Sequence, residues 1–282
     1  MKVGFIGAGK MGGGMARRLS AGGHAVTVYD PSAAAVEACV AAGASAATSA
    51  QEAAGAAEAV FTSLPLPEHV LATYRELELG PDTICIDVST IDPTTARAVA
   101  DLLPGRFVAC PVGKTPAQAE AGELPLFIGG DPAAIDTVRP LLSCIGANMY
   151  ELGTVEAATT FKLVSNLIGM TNVAVLAEGL ALAQNVGIPA DTFTAALHDT
   201  GAWSFQCELR LPWMLAGDHA ARFSVDLAAK DLRLALDAAA RAGVPTPVGA
   251  QGLIQLVSAS AHGYGGEDVT AVAKLIRPPV EG

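Results

Sequence analysis

The sequence predicts an α/β N-terminal domain over residues 1–154, a long interdomain helix, and an all-α C-terminal domain that with the helix occupies residues 155–282. Three observations predict it. Up to about residue 150, short apolar runs alternate with helix-like stretches, the grammar of a parallel sheet with right-handed crossovers and helices on both faces. A glycine-rich turn, GAGKMG, links the first such run to the first helix. Beyond Val155 only helical patterns remain, the longest over 155–187, VEAATTFKLVSNLIGMTNVAVLAEGLALAQNVG.

Composition narrows the functional classes. With 282 residues, 51% of them hydrophobic, the chain can bury a sizeable core. Seventeen basic residues against 28 acidic ones leave a net charge of -11, which argues against nucleic acid as a partner because no basic surplus exists to displace counterions. Cys39, Cys85, Cys110, Cys144 and Cys207 show no CxxC spacing and are expected as reduced, mostly buried thiols. Met1 is followed at once by the strand-like KVGFI, leaving no room for a secretory leader, so a cytoplasmic location is expected. Lys162, Asn166, Asn172 and Glu178 interrupt the long helix, so an interior helix is expected and no membrane contact. The five histidines are scattered without metal-ligand spacing, and no metal site is expected.

Taken in order, KVGFI reads as a buried strand and MARRL as the helix that follows the turn. Gly7, Gly9 and Gly12 have GxGxxG spacing. Gly7 permits the tight turn, Gly9 lets the backbone approach a pyrophosphate, and Gly12 allows close packing of helix on strand. Lys10 and Met11 complete this candidate cofactor loop. A second strand, AVTVY, ends in Asp30, whose carboxylate can accept hydrogen bonds from the adenosine ribose and would repel the 2′-phosphate of NADP. The domain is therefore Rossmann-like, and NAD is preferred over NADP. Asp30 before Pro31 is also a helix N-cap signal.

Ser49 and Glu52 have capping-box spacing, EAVFTSL and TICIDV read as strands, and PEHVLATYRELE as a helix. Leu64, Pro65, Ser89 and Thr90 then stand at the carboxyl ends of strands, the edge where ligands bind in such sheets. Ser89 and Thr90 could equally cap the helix begun by Asp92 and Pro93. After the strand RFVAC, the tripeptide Gly113, Lys114, Thr115 is not a nucleoside-triphosphate loop, since Val108 holds the position of its first glycine and prolines flank it where a helix should start. It is instead a short loop offering donors and one positive charge to a small anion. LPLFIGG, a helix begun by Asp131 and Pro132, and ANMYEL complete the domain. On the long helix Lys162 and Asn166, four apart, share a face. Gly187 and Pro189 end it, and DTFTAAL, SFQCELRLPWML, SVDLAAKDLRLALDAAARA, PVGAQGLIQLVSASA and EDVTAVAKLI read as helices.

These pieces resemble the β-hydroxyacid dehydrogenase family, which includes 3-hydroxyisobutyrate dehydrogenases, tartronate semialdehyde reductases and sulfolactaldehyde reductases. The resemblance spans nearly the whole chain. It is carried by GFIGAGKMGGGMARRL, SLP at Leu64 and Pro65, DVSTIDPTTAR, the block from PVG to GG, FKLVSN around Lys162 and DLAAKDL around Lys230. It implies NAD(P) binding, a helical domain of the 6-phosphogluconate dehydrogenase type that completes the site, and a homodimer or homotetramer. It also implies that Lys162 is the catalytic lysine, that Asn166 binds substrate, and that Lys230, Ser89 and Thr90 lie beside the dinucleotide.

One departure bears on the substrate. Most of the family reads Pro-Val-Ser-Gly-Gly where this chain has Pro111, Val112, Gly113, Lys114 and Thr115. That form resembles the sulfolactaldehyde reductase branch, in which a basic residue and its neighbours grip a sulfonate. Lysine lacks the planar fork of arginine, so a sulfonate, a phosphonate or a second carboxylate remain open. The expected chemistry is reversible hydride transfer between nicotinamide and a small anionic 3-hydroxy acid or its semialdehyde, with Lys162 moving the hydroxyl proton. Two rivals are an imine reductase of the same architecture, which Lys162 disfavours, and a catalytically silent dinucleotide sensor, which Lys162 together with Asn166 disfavours.

Overall fold

The computed structural model describes residues 1–276. The chain forms two compact units, the first being Met1–Lys162 and the second beginning at Leu163.

The first unit alternates strand and helix: β1 Lys2–Ile6, α1 Lys10–Ala21, β2 Ala25–Tyr29, α2 Ala33–Val40, β3 Ser45–Ala46, α3 Ala50–Ala54, β4 Ala59–Thr62 and α4 Pro67–Glu76. It continues with β5 Ile84–Asp87, α5 Pro93–Leu102, β6 Phe107–Ala109, α6 Pro116–Ala121, β7 Pro125–Gly130, α7 Pro132–Ile145 and β8 Asn148–Gly153. The eight strands form one sheet in the order β3-β2-β1-β4-β5-β6-β7-β8. The order in which the chain adds strands reverses between β1 and β4, which opens a crevice at their carboxyl ends.

The central strands are buried on both faces, which is why they read as unbroken apolar runs. Phe5, Phe61, Ile86, Val108 and Ile128 pack with Met15 and Leu19 of α1 and with Val138, Leu141 and Leu142 of α7. Val60, Cys85 and Ala109 turn to the other face and pack with Val70 and Tyr74 of α4 and with Ala96 and Val99 of α5. Phe5 and Phe61 stack across β1 and β4 with ring centroids 5.5 Å apart.

Helix starts follow the expected capping chemistry at three places. Asp92 accepts from the amides of Thr94 and Thr95 at 3.0 Å, Asp131 caps α7 from in front of Pro132, and Ser49 accepts from the amide of Glu52 at 3.1 Å. Three expectations need correction. The cap of α2 is Ser32, not Asp30, because the Asp30 carboxylate is occupied elsewhere. A helix does begin directly after the Gly113–Lys114–Thr115 tripeptide: Thr115 caps α6, and Pro116 takes its first position, where a missing N–H costs nothing. The sheet is parallel except that β7 runs antiparallel to β6. Residues beyond β6 stay paired to the start of β7, through Phe127 N to Pro111 O at 3.0 Å and Gly113 N to Pro125 O at 3.1 Å, so the chain folds back on itself.

The long helix α8, Val155–Asn185, runs out of the first unit and into the second. It stops two residues short of Gly187, which adopts a left-handed φ of 77° while Ile188 N bonds Ala183 O at 3.0 Å. Then follow α9 Ala190–His198, α10 Phe205–Ala216, α11 Val225–Arg241 and α12 Pro247–Ala259. The EDVTAVAKLI stretch is not one helix but a 3-10 turn, Val269–Val272, running into α13, Ala273–Ile276, started by the Asp268 carboxylate on the amide of Thr270 at 3.1 Å. Met170, Val173, Leu176 and Leu180 of α8 pack with Leu211, Met214, Val225, Leu232 and Leu256 in a core of this unit's own. By length and apolarity α8 could cross a membrane, yet half of its most apolar window is buried within the protein.

Candidate active site

The glycine turn lies at the carboxyl end of β1. A Cβ at Gly7 would fall 2.2 Å from the carbonyl oxygen of Ser63, and one at Gly12 would fall 1.9 Å from that of Gly7. Packing therefore excludes side chains at both. At Gly9 a Cβ would meet nothing within 4 Å, φ is an ordinary -60°, and no side chain caps the helix that starts there. Nothing in the protein's own packing demands glycine at Gly9, whereas the open space in front of a helix N-terminus fits the close approach of a pyrophosphate. Lys10 begins α1 exposed to solvent, and Met11 packs against the sheet core.

Asp30, which follows β2, accepts from Ala8 N at 2.7 Å with one carboxylate oxygen and from Ser32 N at 2.8 Å with the other. It thus ties the tip of β2 to the glycine turn while remaining partly exposed.

At the ends of β4 and β5 the hydroxyl of Ser89 accepts from Leu64 N at 2.8 Å and donates to Asp87 Oδ1 at 2.6 Å. Thr62 also donates to Asp87 Oδ1, at 2.7 Å, and so must receive its own bond, 2.9 Å, from the hydroxyl of Tyr74. Burial holds the Tyr74 hydroxyl well above its ordinary ionisation range, so it keeps the proton it donates. Ser89 is buried and its hydroxyl hydrogen is committed to Asp87. It therefore braces the two turns that carry Leu64 and Thr90, both of which remain half-exposed, with Pro65 exposed. Asp87, Thr62 and Tyr74 were not among the residues singled out in the sequence. The available signal was an acidic residue ending an otherwise apolar strand run, TICIDV.

The loop after β6 is clamped on both sides. Gly113 is buried against Pro125 and Phe127, Thr115 caps α6, and Gln118 returns to the Thr115 amide at 3.3 Å. Between them Lys114 is exposed and has φ 66°, which no other non-glycine residue among the described residues shares in sign. The ring of Phe161, on the first turns of α8, lies 4.7 Å from that of Phe127. The residue immediately before Lys162 is thereby fixed to the strand that backs the loop. Lys162 itself is half-buried.

Within the second unit Asn166 Nδ2 donates to Asp231 Oδ2 at 2.5 Å, and Lys230 Nζ lies 2.7 Å from Asp231 Oδ1. The structure thus joins Asn166 and Lys230, 64 positions apart in the chain (230 minus 166), through an aspartate only 2% exposed. Asp231 was also missed. It falls on the apolar face of α11 with Ala228, Leu232 and Ala235, so an acidic residue out of phase with the helical pattern was the signal. Among the described residues no group of histidine, cysteine and carboxylate side chains is placed to hold a metal ion.

Comparison with known proteins matches residues 2–153 to the NAD-binding domain of 6-phosphogluconate dehydrogenase and residues 157–276 to the NAD-binding domain of NADP-dependent 3-hydroxyisobutyrate dehydrogenase. The chain is 34% identical to 2-(hydroxymethyl)glutarate dehydrogenase of Eubacterium barkeri, covering 98% of this chain and 94% of that one. It is equally 34% identical to 3-sulfolactaldehyde reductase of Escherichia coli, covering 98% and 95%. Among solved structures, 3-hydroxyisobutyrate dehydrogenase of Mycobacterium tuberculosis with L-serine superposes with a TM-score of 0.89 at 28% identity, covering 98% of this chain and 99% of that one. An imine reductase from Pseudomonas sp. shares the fold at 23% identity and a TM-score of 0.63.

Proposed function

The chain belongs to the β-hydroxyacid dehydrogenase family and is an NAD(P)-dependent oxidoreductase acting on the CH–OH group of a small hydroxy acid or on its semialdehyde, and within that family we propose that its substrate carries a sulfonate end group. The observation that carries an anionic end group is Lys114, a lysine held in a left-handed backbone conformation, with its side chain exposed, at the centre of a loop clamped on both sides, and the likeness of Pro111 to Thr115 to the sulfolactaldehyde reductase branch favours a sulfonate. Such a conformation costs a non-glycine residue about 1–3 kcal/mol. A chain with 30 glycines has an obvious cheaper residue for that position, so the ammonium group is what the position retains.

In this proposal the glycine turn, Gly7 to Gly12, holds the pyrophosphate. Asp30 takes the ribose hydroxyls and so favours NAD, and Leu64, Pro65, Thr90 and Lys230 line the dinucleotide with Ser89 as their brace. Bound there, the nicotinamide supplies hydride to the carbonyl carbon or accepts it from the carbinol. Lys162 handles the proton: its ammonium donates to the developing alkoxide in reduction, and its neutral amine takes the hydroxyl proton in oxidation. Asn166, one turn along α8 from Lys162, orients the reacting oxygen. Gly113, Lys114 and Thr115 hold the anionic end and so fix the carbon that reacts.

The test is optical. NAD⁺ and NADP⁺ reduction is followed over 3-hydroxyisobutyrate, glycerate, serine, 2-(hydroxymethyl)glutarate and dihydroxypropanesulfonate. The sulfonate should give the highest kcat/KM, and with NAD⁺. Preference for a simple carboxylate would overturn the sulfonate assignment, and preference for a dicarboxylate such as a hydroxymethylglutarate would replace it.

A soluble, cytoplasmic homodimer or homotetramer is part of the same proposal. Ile168, Val175 and Leu182 stand more than half exposed along α8, with Val186 just past its end, an apolar stripe suited to a second copy, and light scattering behind a sizing column reads the mass directly. The net charge of -11 supports the absence of nucleic acid among its partners.

A further inference from the structure

We propose that Asp231 is a positioning residue that sets Asn166 and Lys230 together, so that the group oriented toward substrate and the group oriented toward dinucleotide share one buried carboxylate. This rests on the roles proposed above for those two residues.

The geometry is specific. Asp231 Oδ2 receives the Asn166 Nδ2 hydrogen at 2.5 Å and Oδ1 lies 2.7 Å from Lys230 Nζ. A carboxamide can present either its oxygen or its nitrogen at a given place, and donation to an anion decides between the two. With Nδ2 turned to Asp231, the Asn166 carbonyl oxygen is directed away from that carboxylate, as an acceptor for a hydroxyl or ammonium hydrogen. The second contact works on a flexible side chain. Lys230 and Asp231 are neighbours in sequence on α11, so an ammonium on a four-carbon stem is drawn back over its own helix to a nearly buried anion. The carboxylate is itself enclosed: it lies on the face of α11 that packs through Ala228 and Leu232 into the core of the second unit.

A bridge of this kind makes the two outer residues interdependent. Loss of Lys230 strengthens the remaining claim of Asn166 on the carboxylate, and loss of Asn166 does the reverse. Effects of their removal should therefore fail to add while Asp231 is present, and should add once it is gone.

The experiment uses the full chain and compares Asp231→Asn, which keeps shape and one acceptor but no charge, with Asp231→Glu as the conservative rescue. Asn166→Ala, Lys230→Met and the double variant are made both in the wild-type chain and in the Asp231→Asn background. NADH affinity is read by fluorescence titration, and kcat and KM for substrate by turnover. Expected are about a tenfold loss of NADH affinity in Asp231→Asn, a rise of similar size in substrate KM exceeding any fall in kcat, partial recovery in Asp231→Glu, and non-additivity of residues 166 and 230 confined to chains that retain Asp231. Thermal melting of each variant separates loss of fold from loss of orientation. Unchanged NADH affinity in a folded Asp231→Asn variant, or additive effects with Asp231 in place, would overturn the proposal. Absence of turnover by the wild-type chain on every hydroxy acid would instead sink the functional assignment, and the NADH titration still decides the part that concerns Lys230.

Discussion

The carboxylate of Asp30 accepts a hydrogen bond from the backbone amide of Ala8 at 2.7 Å. One acidic side chain at the end of β2 therefore shapes the glycine turn from within as well as facing the place proposed for the adenosine ribose. Asp30→Ala should raise the KM for NAD⁺ about tenfold or more, in line with the worth of one or two hydrogen bonds to a charged group, and should narrow the preference over NADP⁺. Initial rates with both cofactors measure this. An unchanged ratio of the two kcat/KM values would remove Asp30 from cofactor discrimination.

Lys114 is expected to trade stability for binding. Lys114→Gly frees the loop from a left-handed conformation at a β-carbon position and should raise stability by about 1 kcal/mol, visible as a small increase in Tm. The same variant should lose at least tenfold in kcat/KM for the sulfonate while hardly altering NADH affinity. A lower Tm, or undiminished activity, counts against the reasoning from φ 66°.

Lys162→Ala should lower kcat by a factor of about 10²–10⁴, the usual contribution of a general acid–base group, with NADH binding nearly intact. Single-turnover rates in a stopped-flow instrument, set beside NADH titration, separate the two. If NADH binding falls as steeply as the rate, Lys162 belongs to the cofactor site and not to proton transfer.

The buried thiols predict an alkaline limit to stability. Burial raises the ionisation of Cys39 and Cys110 above the ordinary value of 9.0 and pushes Cys85 up to about 12. Above pH 9 the unfolded chain gives up thiol protons that the folded chain keeps, so the unfolded state is favoured as pH rises. The contribution is complete below pH 9 and is lost from there up to about pH 12. Tm should therefore fall between about pH 9 and 10.5, and less steeply in Cys85→Ala. At about pH 8 a thiol reagent should titrate Cys144, the partly exposed thiol, well before the four buried ones.

What could be read from the sequence was whatever depends on neighbours close along the chain. Gly7, Gly9 and Gly12 specify a turn because two spacings and a following helix suffice; Asp92 with Pro93 and Asp131 with Pro132 specify helix starts because a cap reaches only two or three residues ahead. The alternation of strands and helices, the long α8 and the resemblance carried by local motifs belong to the same class. The antiparallel β7 did not, since its direction is set by pairing Pro111 and Gly113 with residues beyond a whole intervening helix. Asp87 and Asp231 did not either. Each also has a partner close by, Ser89 for Asp87 and Lys230 for Asp231, but what they join comes from far along the chain: Thr62, 25 residues from Asp87, and Asn166, 65 residues from Asp231. A carboxylate reads as an exposed charge until folding removes its water and supplies the donors that replace it. The sequence by itself therefore determined the elements and the chemical groups available, and the tertiary structure decided which buried carboxylates hold those groups in place.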